Sequence, residues 1–401
     1  MLAMSTSDAL LHSLSQRIGE AHSRRSSLRI RGGGSKDFYT RDIQGDEVLD
    51  ATQLSGIVAY EPSELVVTAG GGTSLVALEA ALAACGQCLP FEPPHYAWSD
   101  PGASRATLGG MVASALSGPA RASVGAVRDY VLGLRMINGQ GQQLTFGGQV
   151  MKNVAGYDMS RLMVGALGTL GLITEVSLKV LPRAPAEATL VFALDQARAL
   201  EQLHRWGGQP LPLNASCWVH DDAQGAAGGR DLLFVRLRGA VAAVDAACIR
   251  MLADVPGQRV DPEQAGADWE RCRNQQLPFF QRPANPELAL WRLSLPPTSP
   301  ALELPWRQLV EWHGALRWLW APVGARATLE AALLAAGAEI ENASIFVAPS
   351  QGSVLAAARL ESKNPAQAAI NRRLKASFDP HGVFNPGLSP ALPIHANPAQ
   401  S

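Results

Sequence analysis

The residues with the clearest potential for chemistry lie between Ala106 and Val180, where glycines and basic side chains are frequent and acidic residues are few. The glycines fall at the start of a predicted helix and before a predicted strand: Gly109, Gly110, Gly168 and Gly171. A glycine lets backbone N–H groups approach a bound group closely, and the first turn of a helix has N–H donors without partners. The pattern predicts a binding site for a large, flat, anionic ligand.

A second glycine cluster, Gly32-Gly33-Gly34-Ser35-Lys36, follows the short predicted strand Leu28–Arg31. Consecutive glycines followed by a hydroxyl and an amine can form a nest of N–H groups that binds phosphate. The sequence contains neither a Walker A loop nor a GxGxxG fingerprint, which argues against both of those nucleotide sites. Taken alone, the cluster is equally compatible with a flexible turn. Together with the stretch described above, it leads us to interpret the ligand as FAD.

Composition limits the class of protein. The chain has 401 residues, more than one hydrophobic core usually fills, so we expect two domains. A net charge of −1 gives no electrostatic reason to expect nucleic acid or an anionic membrane as a partner. No apolar run reaches the ~20 residues of a membrane span. The first twenty residues predict an amphipathic helix rather than a signal peptide. We therefore expect a cytoplasmic protein.

The cysteines predict no metal site and no disulfide framework. They are five in number and unevenly spread, which favours a reducing compartment. Cys85 and Cys88 form the only CxxC pair, but they follow a predicted helix, where the helix dipole disfavours a thiolate. We interpret all five as structural residues.

The pattern of elements predicts an α+β fold with a domain boundary near residues 182–188. Short strands are predicted at 48–51, 56–60, 65–69 and 88–91, with a helix over Ser74–Cys85. Eight of the nine tryptophans follow Arg183, and the stretch PRAPAEA has the composition of a linker. We predict a two-subdomain FAD-binding domain over 1–182 and an α+β cap domain over 183–370. The segment 371–401 is predicted to return to the first domain.

The cap domain is predicted to contain an antiparallel sheet covered by alanine-rich helices. Its strands are predicted at 232–237, 288–293, 316–320 and 343–347, and its helices at 240–252 and 325–336. Arg292 on such a strand could hold a substrate carboxylate in a bidentate contact. The alternative is that the neighbouring tryptophans, Trp291, Trp318 and Trp320, are core residues and that Arg292 has a structural partner. Both interpretations stay open at this stage.

Six motifs, in their order along the chain, resemble the FAD-binding domain of the vanillyl-alcohol oxidase/PCMH flavoprotein family. They are RIRGGGSK, YEPSELVVTAG, LPFEPP, ATLGGMVAS with the following VRDYVLG, KNVAGYDMSRL, and GTLGLITEVSLKVLP. The resemblance covers Leu28–Pro182 and resumes at Phe378–Gly387, which is similar to the closing signature of the family. It implies a PCMH-type fold and FAD as the cofactor.

The resemblance also implies which residues bind FAD. Those at the pyrophosphate loop are Arg31, Gly32, Gly33, Gly34, Ser35 and Lys36. Those along the phosphates and the ribityl chain are Thr107, Gly109, Gly110 and Ser114. Gly118 and Arg121 would close the pocket, Lys152, Gly156 and Tyr157 would lie near the flavin, and Ile173 would present its backbone. Family members with covalent flavin carry a histidine where this chain has Ser35 and Lys36, so the FAD is expected to be non-covalent.

Within the family, the sequence is most similar to FAD-binding subunits of glycolate oxidases. This implies oxidation of glycolate to glyoxylate in a complex with a catalytic flavoprotein subunit and an iron–sulfur subunit. Catalytic relatives carry a paired-histidine motif and a Gly-Asp-Gly-Asn segment that hold a metal and a base, and this chain has neither. Two alternatives therefore stay open: an autonomous FAD-dependent 2-hydroxyacid or alcohol dehydrogenase, and a flavin subunit that only relays electrons.

Overall fold

The computed structural model describes residues 6–39, 45–96, 104–148, 158–221, 229–338, 343–351 and 364–388. In these ranges, no helix is both long and apolar enough to cross a membrane. The described chain forms two large antiparallel sheets with helices against them, a mixed α+β architecture.

Helix α1 (Thr6–Arg24) packs against a parallel strand pair, β1 (Leu28–Arg31) and β2 (Glu47–Asp50). Leu14 and Ile18 of the helix are buried in one cluster with residues of both strands. Their spacing of four places them on one helix face, which confirms the predicted amphipathic helix.

A five-stranded antiparallel sheet follows. In spatial order its strands are β3 (Ile57–Glu61), β4 (Val66–Gly70), β8 (Leu172–Lys179), β6 (Val131–Ile137) and β7 (Gln143–Gly147). The strands predicted at 48–51, 56–60 and 65–69 are confirmed within one residue as β2, β3 and β4. The strand predicted over 88–91 is wrong beyond Cys88, because only Gln87–Cys88 (β5) pairs, with Leu181–Pro182 (β9).

Four helices lie beside this sheet. The first, α2 (Leu75–Ala84), is the predicted helix, and Leu75, Leu78 and Leu82 bury its inner face completely. Burial of such a side chain contributes about 1.5–3 kcal/mol. The others are short: α3 (Leu108–Ser114), α4 (Arg121–Val124) and α5 (Met159–Leu162).

An eight-stranded antiparallel sheet forms the second half of the molecule. In spatial order its strands are β13 (Gly257–Arg259), β10 (Ala186–Ala193), β12 (Arg230–Gly239), β11 (Leu213–Asp221), β15 (Gln308–Glu311), β16 (Leu316–Pro322), β14 (Leu288–Ser294) and β17 (Ala343–Val347). Its helices are α6 (Gln196–Gly207), α7 (Val241–Asp254), α8 (Pro262–Arg273) and α9 (Arg326–Ala335). The four strands and two helices predicted in this region are confirmed.

The stretch predicted as a linker, 182–188, is largely strand. Strand β9 ends at Pro182 and β10 begins at Ala186, so only Arg183–Pro185 lies between them. Leu190 and Phe192 further along bury β10 in the sheet, so the connection between the strands is shorter than the predicted linker, and the domain boundary stays a prediction.

The two faces of the eight-stranded sheet have different partners. One face packs on α6 and α7 and, further along, on α9. The other face packs on α8 and on residues of the first half, including Phe38, Tyr96 and Leu116. Successive side chains of a strand point to opposite faces of the sheet, so every other residue of each strand lies on this second face.

Buried ion pairs join the two halves. Glu92, 14% exposed at its side chain, accepts hydrogen bonds from Arg236 at 2.7 and 2.8 Å and from Arg238 at 3.0 Å. Arg273 of α8 donates to Glu79 of α2 and to the Pro93 carbonyl. The two guanidinium groups hold the pKa of the Glu92 carboxyl below its usual value despite burial. These contacts fix the second face of the sheet against the first half.

The last helix, α10 (Pro365–Phe378), returns to the first half and ends in a buried ion pair. Lys375 Nζ lies 2.6 Å from Asp379 Oδ2 and also donates to the Thr169 carbonyl at 2.7 Å. Asp379 accepts from the amides of Val383 and Phe384, and thereby shapes the turn that follows α10.

We expect Lys375→Met to lower the free energy of unfolding by about 3–5 kcal/mol, because it leaves a buried carboxylate without its cation. The measurement is urea denaturation followed by circular dichroism. Glu20→Gln is the matched control, since it removes an exposed ion pair with Arg24 and is expected to cost less than about 1 kcal/mol. Equal effects of the two substitutions would contradict this account.

Candidate functional site

Two glycine segments from distant parts of the sequence meet at one cavity of about 100 Å³. Its lining includes Gly32, Gly33, Gly34, Ser35, Lys36, Thr107, Gly110 and Ser114. We call it the glycine-loop cavity. A Cβ atom on Gly32 would stand 2.5 Å from Thr107 Oγ1. The predicted convergence of the two segments is therefore a feature of the fold.

The loop after β1 can take this path only with glycine. A Cβ atom on Gly33 would overlap the carbonyl oxygen of Arg105 and stand 2.8 Å from the Arg105 side chain. Gly34 has φ +76°, a conformation that other residues rarely adopt. Within the described part of the chain, no backbone hydrogen bond uses the amides of these three glycines. Those amides are thus available to an anion.

The second glycine pair has a different role from the one expected. Thr107 caps α3, and its Oγ1 accepts from the Gly110 amide at 3.3 Å. The Gly109 amide donates to the Gly71 carbonyl at 2.7 Å, so the expectation that it is free for a ligand is wrong. Gly109 is needed for close packing instead, since a Cβ there would stand 2.9 Å from the same carbonyl.

Two basic side chains at the glycine-loop cavity, Arg31 and Lys36, have different surroundings. Arg31 donates to Asp37 through Nε at 2.9 Å and Nη2 at 2.7 Å, a hydrogen-bonded contact that raises its pKa. Its charge is therefore already neutralised by a carboxylate that sequence reasoning had not singled out. Lys36 is buried, and desolvation lowers its pKa to about 8. The Nζ atom of Lys36 lies 5.8 Å from the centroid of the Tyr96 ring. Tyr96 also lines a second cavity.

The second cavity lies where the eight-stranded sheet meets the first half. Its volume is about 20 Å³, and its lining includes Tyr96, Ser117, Gly118, Gln275, Arg292, Glu311, Trp312 and Trp318. We call it the arginine–tryptophan cavity. Ser117 Oγ and Gln275 Oε1 are buried and have no hydrogen-bond partner among the described residues. A polar cavity of this size holds about one water molecule.

Two guanidinium groups lie over one indole ring beside this cavity. The Cζ atoms of Arg121 and Arg292 are 4.4 and 5.3 Å from the centroid of the Trp312 ring. Among the described residues, neither arginine has a carboxylate within salt-bridge distance. Burial and the charge of Arg292 lower the pKa of Arg121. Two neighbouring cations without a counter-ion form a site that attracts an anion.

An unusual turn holds Trp312 in this position. Trp312, His313 and Gly314, between β15 and β16, have φ values of 53°, 55° and 102°. Such backbone conformations cost about 1–3 kcal/mol each for residues other than glycine, and they occur preferentially at functional sites. Trp312 Nε1 donates to the Gly118 carbonyl at 3.0 Å, and the His313 amide donates to Ser216 Oγ at 2.9 Å. These bonds compensate the strain.

Glu311, immediately before this turn, is a fully buried carboxyl group. Its Oε2 accepts from Trp318 Nε1 at 2.7 Å, and its Oε1 accepts from the Cys272 thiol at 3.3 Å. Desolvation raises its pKa to about 7, although these two donors and Arg292 act in the opposite direction. No sequence motif marked this residue.

The remaining predicted site residues are distributed as follows. Gly118 and Arg121 lie at the arginine–tryptophan cavity rather than at the glycine loop. Ile173 is buried in β8 and lines neither cavity. Lys152, Gly156 and Tyr157 lie outside the described residues. In the described ranges, no group of three or more His, Cys, Asp or Glu side chains is placed to hold a metal ion.

Comparisons with solved structures bear on the fold. The chain superposes on alkyldihydroxyacetonephosphate synthase with a TM-score of 0.63 at 15% identity, covering 93% of this chain and 75% of that one. It superposes on 4-ethylphenol oxidase from Gulosibacter chungangensis with a TM-score of 0.64 at 12% identity, covering 94% and 87%. These likenesses confirm the predicted α+β fold class.

Comparisons of sequence bear on the family. Residues 12–147 match the FAD binding domain family. The chain is 43% identical to glycolate oxidase subunit GlcE of Escherichia coli (strain K12) over 381 residues, 95% of this chain and 96% of that protein. It is 31% identical over 163 residues to glycolate oxidase subunit GlcD of Bacillus subtilis (strain 168), 41% of this chain and 33% of the relative. The chain therefore belongs to the family of glycolate oxidase subunit GlcE and carries an FAD-binding domain.

Proposed function

We propose that this chain is the FAD-binding subunit of a complex that oxidises glycolate to glyoxylate. The observation that carries the proposal is the pair of arginines, Arg121 and Arg292, without a carboxylate partner beside the FAD-binding half. Glycolate is a monocarboxylate, and guanidinium groups are the usual partners of carboxylates. The identity to the Escherichia coli GlcE protein over almost the whole of both chains supports the choice of substrate.

The glycine-loop cavity fits the pyrophosphate of FAD. A pyrophosphate needs several N–H donors and a cation at close range. The amides of Gly32, Gly33 and Gly34 provide the donors, and the absence of side chains leaves room for the phosphate oxygens. Lys36 provides a positive charge at the edge of the same cavity. No histidine lies in this loop, which supports non-covalent binding.

FAD, when bound, would supply the hydride acceptor for oxidation of the substrate. The residues of this chain bind and orient the substrate. Arg292 holds the carboxylate from β14, and Arg121 approaches it from α4. Trp312 lies against both guanidinium groups and limits their movement.

A second candidate function is electron relay without substrate oxidation. It is favoured by the lack, among the described residues, of any histidine-rich metal cluster of the kind expected in catalytic relatives. In either case we propose a catalytic flavoprotein subunit and an iron–sulfur subunit as partners. We also propose a cytoplasmic location, with any contact to the inner membrane made through those partners.

We expect Gly33→Val to reduce the affinity for FAD by roughly tenfold or more, because overlap with the Arg105 carbonyl costs about 1–3 kcal/mol and shifts the loop. The measurement is the ratio of flavin to protein absorbance after purification. Gly266→Ala is the control, since nothing lies within 4 Å of its added Cβ. Full flavin content in Gly33→Val would count against this placement of the pyrophosphate.

Lys36 should make the binding of FAD depend on pH. Its pKa of about 8 means that it is charged at neutral pH, and an anionic ligand raises that pKa further. FAD affinity should therefore fall as the pH rises from about 7 to about 9. Lys36→Met is expected to bind FAD roughly 10- to 100-fold more weakly at neutral pH and to lose this dependence. Titration of the flavin-free chain followed by fluorescence measures both, and an unchanged profile would exclude Lys36 from the site.

The proposed function is tested by adding glycolate to the purified, FAD-loaded chain without oxygen. Loss of flavin absorbance is expected if this chain oxidises glycolate itself. Arg292→Met should weaken glycolate binding by roughly 10- to 100-fold while flavin content is unchanged. Arg135→Gln, which removes an exposed arginine on β6, is the control.

A chain that stays oxidised until its partner subunits are added would support the relay function instead. Reduction of the Arg292→Met variant at the wild-type rate and glycolate affinity would remove Arg292 from the substrate site. A chain that takes up no FAD would contradict both functions.

A further inference from the structure

We propose that Glu311, acting through a water molecule in the arginine–tryptophan cavity, receives the hydroxyl proton of the 2-hydroxy acid. The proposal rests on the proposed function and names the proton acceptor for it. In the step, the O–H bond of the substrate breaks and its electrons form the C=O bond. The hydride leaves the α-carbon for FAD, and the proton passes through the water to the Glu311 carboxylate, which becomes a carboxylic acid.

The cavity is built to hold a water molecule. Ser117 Oγ and Gln275 Oε1 are buried, line the cavity and lack partners among the described residues. Gln275 is only 7% exposed and has a positive φ of 55°. A volume of about 20 Å³ admits one water molecule. A water molecule there could donate to Gln275 Oε1 and form a hydrogen bond with Ser117 Oγ. Arg292 and Glu311 line the same cavity.

Glu311 shares this cavity with the arginine proposed to hold the carboxylate. Arg292 pairs with Trp318 across β14 and β16, and Leu309 pairs with Trp318 across β15 and β16. Glu311 is two residues after Leu309 and so lies on the same face as Arg292. A substrate held by Arg292 therefore has a carboxylate and a water site beside it.

Glu311, with a pKa of about 7, is the carboxyl group in the lining of this cavity, and Lys36, with a pKa of about 8, lies beyond Tyr96. The Cys272 thiol of α8 has a pKa raised first by its hydrogen bond with Cys217 of β11 and then by burial. Burial raises the pKa of Tyr96. His313, in the adjoining turn, has a pKa lowered to about 4 by burial, so it stays neutral.

A route to solvent exists for the proton once it is on Glu311. Cys272, which donates to Glu311, also lines a larger, half-open cavity of about 660 Å³ on the far side. Solvent in that cavity comes within one side chain of the carboxyl group. The proton can thus leave between turnovers without crossing the substrate pocket.

The experiment compares wild type, Glu311→Gln and Glu311→Asp, with Glu303→Gln, an exposed glutamate, as the control. Flavin reduction by glycolate is followed by anaerobic stopped flow from about pH 5.5 to about pH 9. The wild-type rate should rise with pH around neutrality, because the carboxylate is the active form. Glu311→Gln should be slower by roughly 10²- to 10⁴-fold and independent of pH. Glu311→Asp should be slower than wild type yet keep the pH dependence, and it carries the test if Glu311→Gln does not fold.

Two further readouts do not depend on turnover. Infrared difference spectra across the same pH range should contain a protonated-carboxyl band that titrates near neutrality in wild type and is missing in Glu311→Gln. Binding of oxalate, which has no C–H bond to oxidise, should be similar in both proteins, since it depends on the arginines. Formate should partly restore flavin reduction to Glu311→Ala.

The outcomes separate this inference from the proposed function. Reduction of Glu311→Gln at the wild-type rate and with the wild-type pH profile would overturn the role of Glu311 and leave glycolate oxidation intact. The absence of a titrating carboxyl band in wild type would also overturn it. Failure of wild type to bind oxalate or be reduced by glycolate, with the band present, would overturn the proposed function instead.

Discussion

The contact between Gly33 and the carbonyl of Arg105 is the constraint on which the cofactor half depends. The two backbones approach so closely that no side chain fits between them. That approach brings β1, with its glycine loop, against the segment that caps α3 through Thr107. The loop lines a cavity, and its three glycine amides make no backbone hydrogen bond within the described part of the chain. The fold thereby keeps several polar donors unsatisfied, which is stable only when an anion or solvent takes them.

At the junction between the two halves, by contrast, a buried carboxylate has protein partners. Glu92 is buried beside Arg236 and Arg238, and its hydrogen bonds are fully formed. A buried ion pair contributes little to net stability compared with an apolar pair, but its geometry is specific. This specificity fixes how the second face of the eight-stranded sheet meets the first half. It therefore also fixes where Arg292, Glu311 and Trp312 stand relative to the glycine-loop cavity.

Beside the arginine–tryptophan cavity, two arginine side chains have no salt bridge with any described residue. Arg121 and Arg292 share an indole ring without a carboxylate partner, and Glu311 lies in the same lining without a salt bridge to either. The buried side chains of Lys375 and Asp379, by contrast, pair with each other. This contrast is the physical reason why we propose that the substrate carboxylate binds to the two arginines beside this cavity. The strained turn at Trp312 and His313 is in accord with such a site.

The sequence by itself determined the features that depend on local chemistry. Three consecutive glycines followed by a hydroxyl and an amine marked a possible phosphate loop, and the other motifs of the chain favoured that interpretation over a flexible turn. Hydrophobic periodicity predicted helix α2 and the strands of the second half, and the predicted bounds were right within about two residues. The motif order identified the FAD-binding fold. The connection near 182–188 is shorter than predicted, because β10 already begins at Ala186.

Only the tertiary structure decided the composition of the second cavity. Ser117 precedes α4, Gln275 follows α8, Arg292 lies on β14 and Glu311 ends β15, so their proximity is not encoded by any local spacing. The same holds for Asp37, which neutralises Arg31, and for Gly71, which takes the amide of Gly109. Each of these pairings depends on how two distant segments pack. A side chain that looks free in the sequence acquires its partner, its pKa and its role only when that packing excludes water around it.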